Sequence, residues 1–512
     1  MQGKRLATML ATCMLACAAG AANAQKAKNT LRIGLVEPIS SMILYDGPNP
    51  EVGMFSRGLF DPLLCFDNRT GKFAPNLASS WKWLDDQTLE LKLHTGVKFH
   101  DGSAFDADDV IYTFGWLTDP NNGLRFAENY APFKRAEKID QYTVRIHTNG
   151  PAPTAMLRLA YSTPIVPSDL HGKYQNKGDF GRKTPIGTGP FKVETFNTDR
   201  IVLVRNPDYT HGTPCKPAAR VARVEAVPMP DTQTQIANLA TGNIDFIKVS
   251  DKAQADMLAK QPTLKMSANE GLTFQFMAID SAGRSGNAAL SNLKVRQAMA
   301  MAVNRTLVAR SVTPGGDAVV APDALCLPIH RACAYSTKPP AYDPAAAKKL
   351  LAEAGYPNGF DVELTATPGS TGLAEAVAGE LRKVGIRAKV DRITFAGYRE
   401  KQRQGKQQVL VSLWTSGGLP DASSPVQFLF APGARDYWHD KQIQAWMKEG
   451  MATTDEERRE AIYKKAYDRA NEQAYVVPLS TKPDVFIHNR DLVLDKTSGG
   501  VYGLDFYEVH WK

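Results

Sequence analysis

From Tyr342 onward the sequence alternates helix and strand patterns, and that order limits the fold more than any other feature. Asp343 is placed to cap a helix with Pro344 at its first position, Leu350 and Leu351 inside, and Gly355 then Pro357 ending it. "FDVELTA" from Phe360 reads as a strand, "LAEAVAGELRKVG" from Leu373 as an amphipathic helix closing at Gly385, and "IRAKVDRI" as another strand. "VLVSLW", Val409 to Trp414, is an apolar run of the kind buried on both faces of a sheet. Such alternation requires an open α/β layer with crossovers. Ligands meet these layers at the carboxyl ends of strands, which makes the loop "TSGGLPDASSP" after Trp414 the first place to look for a site.

The N-terminal half is written differently. "WKWLDDQTLELKL" reads as a hairpin with an Asp-Asp turn, and a second turn at His100-Asp101-Gly102 leads to Asp106, an N-cap for a helix carrying Val110, Phe114 and Leu117. His100 beside Asp101 is read as part of a chain reversal, because no nucleophile motif accompanies it. Gly187 and Gly189 in "TPIGTGPFKV" invite comparison with a phosphate-binding loop. Pro190, Phe191 and Lys192 follow instead of a third glycine and a helix, so the stretch reads as the entry to a hairpin.

A chain of 512 residues is too long for one core and should divide into two or three domains. Met1 to Ala24 has a basic start at Lys4 and Arg5, an apolar stretch, and Ala22 and Ala24 before Gln25. This is the layout of a cleavable signal peptide, so export and cleavage near Ala24 are expected. The competing reading acylates Cys17 as a lipoprotein anchor, with Met14 departing from that box. The formal net charge of +8 falls to +6 once Lys4 and Arg5 are removed. The densest basic stretch, "YREKQRQGKQQ" from Tyr398, is interrupted by Glu400 and glutamines, which suits a solvated helix face and argues against nucleic-acid binding.

Four cysteines remain beyond the signal: Cys65, Cys215, Cys326 and Cys333. In an oxidising compartment Cys326 and Cys333 are expected to close a small disulfide loop, and the four lack the paired spacing of a zinc site. No Gly-x-Ser-x-Gly, His-Glu-x-x-His or Walker pattern occurs, and the nine histidines are scattered. Neither a catalytic residue, nor a metal, nor a cofactor is expected.

Several blocks taken together resemble one family, the extracytoplasmic solute-binding proteins of family 5 that serve peptide, opine and nickel ABC importers. They are "NLASSWKWLDDQTLELKLHTGVKFHDGSAFDADDVIYTF", "PIGTGPFKV" with "VRNPDYTHG", "ANLATGNIDFI", "SNLKVRQAMAMAVNR" and "YDPAAAKKLLAEAGYPNGFDVEL". The resemblance implies an α/β, two-lobed periplasmic binding protein fold of the class II type, cluster C, with an extra subdomain inserted in the first lobe. It implies a signal peptide over 1–24, lobe I over 25–77, 183–278 and 476–512, an inserted subdomain over 78–182, and lobe II over 279–475. Hinge strands would lie near "FQFMAID" and "AYVVPLS".

The resemblance further implies a monomer in the periplasm that closes on its solute and delivers it to the permease of an ABC importer. Dipeptide-binding relatives hold the ligand's ammonium with an Asp shortly after the Trp of the strand matching "VLVSLW", and its carboxylate with an Arg in the loop after "FDVELTA". Here those loops read Trp414-Thr415-Ser416-Gly417-Gly418 and Thr367-Pro368-Gly369-Ser370-Thr371, and neither carries the charge. Asp421 is the nearest substitute. The first loop looks more like that of glutathione-binding members. Met42 and Tyr45 in "ISSMILYDG" join Trp414, Thr415, Ser416, Gly417, Gly418 and Asp421 as ligand-binding candidates. The expected solute is a short peptide or a peptide-like solute such as glutathione; the alternatives are an opine, an oligosaccharide or a metal chelate on the same fold, and an exported enzyme.

Overall fold

The computed structural model describes residues 29–494 and 503–512, apart from 37, 47–49, 69, 125–126 and 270. The signal segment and Cys17 therefore lie outside the described residues. Among the described residues no helix is long and apolar enough to cross a membrane.

The alternating C-terminal half builds a five-stranded sheet in the order Arg387–Arg392, Asp361–Ala366, Val409–Trp414, Phe274–Ile279, Val476–Thr481. The first three strands run parallel, and Phe274–Ile279 is antiparallel to both of its neighbours. Asp343 caps the helix Pro344–Glu353 by accepting the N–H groups of Ala345 and Ala346, and the next helix, Thr371–Arg382, returns the chain to the sheet. The apolar strands face two cores at once. Phe274, Phe276, Ala278 and Leu410 point into one cluster, whereas Met277, Ile279, Val409 and Val411 point into the other. That two-sided burial is why these strands read as apolar runs without alternation.

A seven-stranded sheet forms from Leu264–Asn269, Asp484–Asn489, Phe246–Lys248, Thr30–Leu35, Arg223–Pro228, Ile201–Arg205 and Phe191–Phe196, in that spatial order. A separate four-stranded antiparallel sheet takes Ala78–Asp85, Thr88–Leu93, Thr143–Thr148 and Phe133–Asp140. Asp106 caps the helix Ala107–Thr118 through a capping box, and Val110, Phe114 and Leu117 are buried beneath it. The two sheets share one apolar core, in which Leu31, Phe55, Val144 and Phe506 belong to a single cluster.

The hinge strands differ from expectation. Phe274–Ile279 and Val476–Thr481 pair with each other inside the five-stranded sheet, so boundaries at 278/279 and 475/476 fall within or beside a sheet instead of at a crossing. The chain passes between the sheets after Asn269 and again through Lys482 and Pro483, and the Lys482 N–H donates to the Thr273 carbonyl at 2.9 Å.

The glycines of "GTGPF" serve close approach. A Cβ on Gly187 would collide with the Leu59 carbonyl oxygen, and one on Gly189 would lie 2.6 Å from that of Gly58. Their amides are occupied, Gly189 N–H by Leu59 O at 2.9 Å and Gly187 N–H by His100 Nδ1 at 3.3 Å. His100 Nε2 donates in turn to Gly189 O at 3.1 Å. Burial pushes the His100 pKa down to about 4, which keeps Nδ1 free to accept. The turn histidine thus latches the glycine segment, and neither glycine amide is left for a phosphate.

Candidate functional site

The carboxyl ends of the parallel strands converge with the two crossing segments at one edge of the five-stranded sheet. Trp414 stands opposite Phe274, which stands opposite Thr481, and the loop after Ala366 lies alongside. The indole of Trp414 stacks on Phe428 with ring centroids 3.8 Å apart and an interplanar angle of 13°, and its Nε1 donates to Ser424 Oγ at 3.3 Å. The ring is half-buried, fixed on one face and at its polar tip. An aromatic held in that way presents a rigid apolar surface to whatever occupies the edge.

The loop beyond it is braced from within. Ser416 has φ +55, a left-handed conformation that a residue with a side chain adopts at a cost of about 1–3 kcal/mol. Three hydrogen bonds hold it there. His330 Nδ1 accepts the Leu327 N–H at 2.7 Å, so His330 Nε2 carries the proton and donates to Ser416 Oγ, also at 2.7 Å. Ser416 Oγ donates to the Leu272 carbonyl at 3.2 Å, and the Ser416 carbonyl accepts from Ser424 Oγ at 2.7 Å. Burial pushes the His330 pKa to about 4 and keeps the ring neutral. Leu272 lies in a crossing segment, so this chain ties the loop to the junction of the sheets. Leu419, at the loop's far end, packs against the core of the seven-stranded sheet, and Arg331 lies over the Phe73 ring at 5.0 Å.

Half of the expected site residues turn inward. Asp421 is fully buried and grips Arg459 with both carboxylate oxygens while also accepting from Ser423. Burial alone would raise its pKa, but Arg459 and the Ser423 bonds outweigh that and hold the carboxyl below its ordinary value. Its charge is neutralised inside the protein, so it does not replace the missing ammonium anchor. Ser416 is fully buried with its hydroxyl engaged. Met42 is fully buried, and Tyr45 is wedged between Trp116 and Tyr130 with its hydroxyl donating to the Pro164 carbonyl, so both belong to the core and not to an open surface. Trp414, Thr415 and the glycine backbone at 417 and 418 remain at the edge.

Two features had no signal in the sequence. His330 reaches Ser416 across 86 residues, and Cys65 pairs with Cys215 across 150. Cys326 and Cys333 are also disulfide-bonded, with Cα atoms 5.8 Å apart. Among the described residues, no group of three or more His, Cys, Asp or Glu side chains is placed to hold a metal ion.

Residues 72–436 match the family described as Bacterial extracellular solute-binding proteins, family 5 Middle. The chain belongs to this family. Heme-binding protein A of Haemophilus influenzae is 27% identical over 477 residues, covering 83% of this chain and 82% of that protein. Glutathione-binding protein GsiB of Escherichia coli (strain K12) is 28% identical over 436 residues, covering 81% and 82%. The solved structure of HbpA2 from Haemophilus parasuis superposes with a TM-score of 0.79 at 23% identity, over 94% of this chain and all of that one. Family 5 membership and this likeness give the α/β, two-lobed architecture expected from the sequence.

Proposed function

We propose that this family 5 protein is the periplasmic capture component of an ABC importer, taking up short peptides or peptide-like solutes such as glutathione. It acts by binding, without catalysis, as a monomer that hands its solute to a membrane permease. The observation that carries the reading is the edge where the two sheets meet. There a half-buried Trp414 and the backbone-rich loops at 367–371 and 415–418 face the crossing segments, and Leu419 already reaches the other half of the molecule. A solute touching both halves stabilises the closed arrangement by those shared contacts alone. The exposed Thr415 and the backbone of the glycine loop suit a peptide backbone.

A second reading, a non-peptide solute such as a metal chelate, is favoured by the heme-binding relative, which matches as well as the glutathione-binding one. Native mass spectrometry on protein purified without denaturation tests both. A co-purifying mass of a peptide or of glutathione supports the first reading, and a porphyrin or other chelate supports the second.

A further inference from the structure

Arg331 joins the two halves of the molecule by a side-chain contact that lies in neither crossing segment. Its guanidinium carbon stands 5.0 Å from the centre of the Phe73 ring. Phe73 belongs to the hairpin that pairs Leu64–Asp67 with Lys72–Pro75, and it packs against the core shared by the seven-stranded and four-stranded sheets. Arg331 belongs to the loop between Cys326 and Cys333, whose residues Cys326 and Ala332 are buried in a core of the five-stranded sheet.

Both partners are held before they meet. The Arg331 N–H donates to the Pro420 carbonyl at 3.0 Å, and the Arg331 carbonyl accepts the Ala422 N–H at 2.9 Å. Nη2 donates to Glu456 Oε2 at 2.8 Å, which fixes the guanidinium as well as the backbone. Ala332 has φ +56, a left-handed conformation that turns the chain sharply just after Arg331. The bond between Cys326 and Cys333 closes this loop. On the other side, the Phe73 ring meets Phe66 edge-on at 5.0 Å between centroids, and Cys65, in the strand beside it, is bonded to Cys215. A disulfide thus stands behind each side of the contact. Groups fixed in this way lose little freedom when the cation meets the ring.

We infer that Arg331 and Phe73 form a latch between the halves, one that biases the protein toward its closed arrangement and touches no solute. The Ser416–Leu272 bond lies at a crossing and turns little when the halves rotate. The Arg331–Phe73 contact joins two separate bodies, so rotation about the crossings breaks it. A contact present only in the closed arrangement raises the closed fraction, and with it the apparent affinity for every solute by one common factor. The inference rests on the proposed capture role and goes beyond it, because the latch acts whatever the solute is.

Small-angle scattering of the solute-free protein and calorimetry test it on wild type, R331M, R331K, F73L and the R331M/F73L double variant, with glutathione, Ala-Ala-Ala and hemin as probes. R331M and F73L should each enlarge the radius of gyration of the solute-free protein and weaken every binding probe by the same factor, about two- to fivefold. The double variant should lose no more than either single one. R331K keeps the charge without the planar guanidinium and should recover part of the loss. A radius equal to wild type in both single variants would overturn the latch, and so would affinity losses that add in the double variant. A loss confined to one probe would place Arg331 against that solute, overturning the latch and leaving capture intact. If wild type binds no probe at millimolar concentration, the proposed solutes fall, and the solute-free radius alone upholds or overturns the latch.

Discussion

Arg459 donates from both terminal guanidinium nitrogens to the two oxygens of Asp421, with Nη1 at 2.7 Å from Oδ2, and neither residue reaches solvent. A third donation, from Arg459 Nε to the Gly450 carbonyl at 3.1 Å, fixes the plane of the fork. The pair anchors the end of the Trp414 loop to the helix Glu456–Glu472. Removing one partner strands a buried charge, so R459M and D421L should each lose about 3–5 kcal/mol of stability. The double substitution should recover much of the loss, because it leaves no charge unpaired. Denaturant unfolding of the three variants checks this. D421L variants that keep full stability but lose solute affinity would instead make Asp421 a ligand anchor.

Trp414 has one face on Phe428 and its Nε1 on Ser424, and the proposed function puts the solute against its other face. W414A should weaken binding of the co-purifying solute by about 2 kcal/mol or more, and W414F by less. Calorimetry after removal of that solute measures it. Unchanged affinity would make the indole a packing element only.

Free dipeptides such as Ala-Ala should bind poorly. The loops at 367–371 and 415–418 carry no charge, Asp421 is neutralised by Arg459, and desolvating an ammonium without a partner costs several kcal/mol. In a thermal-shift screen at millimolar concentration, a solute of micromolar affinity adds roughly 4 kcal/mol of stability. Glutathione, oligopeptides or non-peptide solutes should give such a shift while Ala-Ala gives little. The reverse order would contradict the reading of these loops.

The two disulfides close loops of very different size, with sequence separations of 150 and 7. The chain-entropy relation assigns about 5 kcal/mol to Cys65–Cys215 and about 2 kcal/mol to Cys326–Cys333. Replacing each pair by alanine and measuring guanidinium unfolding should show the larger loss for the first. Thiol titration of the exported protein should find none of the four cysteines free.

His171, His330 and His488 are each buried with pKa values pushed to about 4, chiefly by desolvation. In the unfolded chain the same groups bind a proton near pH 6.5. Between those values the unfolded state holds more protons, so stability falls as pH drops from about 6.5 to about 4 and levels off below. Each histidine contributes at most on the order of 3 kcal/mol to that fall. H330N should lose less stability than wild type over this window, as followed by thermal melts at stepped pH.

What could be read along the chain was local. The caps at Asp106 and Asp343, the helix bearing Val110, Phe114 and Leu117, and the apolar strand Val409–Trp414 each depend on side chains a few residues apart, so periodicity and end signals suffice. The chemistry at the end of that strand was not local. "TSGGLPD" gives no sign that Asp421 faces Arg459, or that the Ser416 hydroxyl is taken by His330 and Leu272, because those partners arrive from elsewhere in the chain. Met42 and Tyr45 have the composition of a binding wall, and only the folded core buries them, with Trp116 and Tyr130 packed against Tyr45. Strand order decided the rest. Phe274–Ile279 pairs with both Val409–Trp414 and Val476–Thr481, and this carries Lys482 to the loop holding Gly369, more than a hundred residues earlier in the chain. A side chain's polarity fixes whether it needs a partner, whereas the folded chain alone determines whether that partner is another residue, water or a solute.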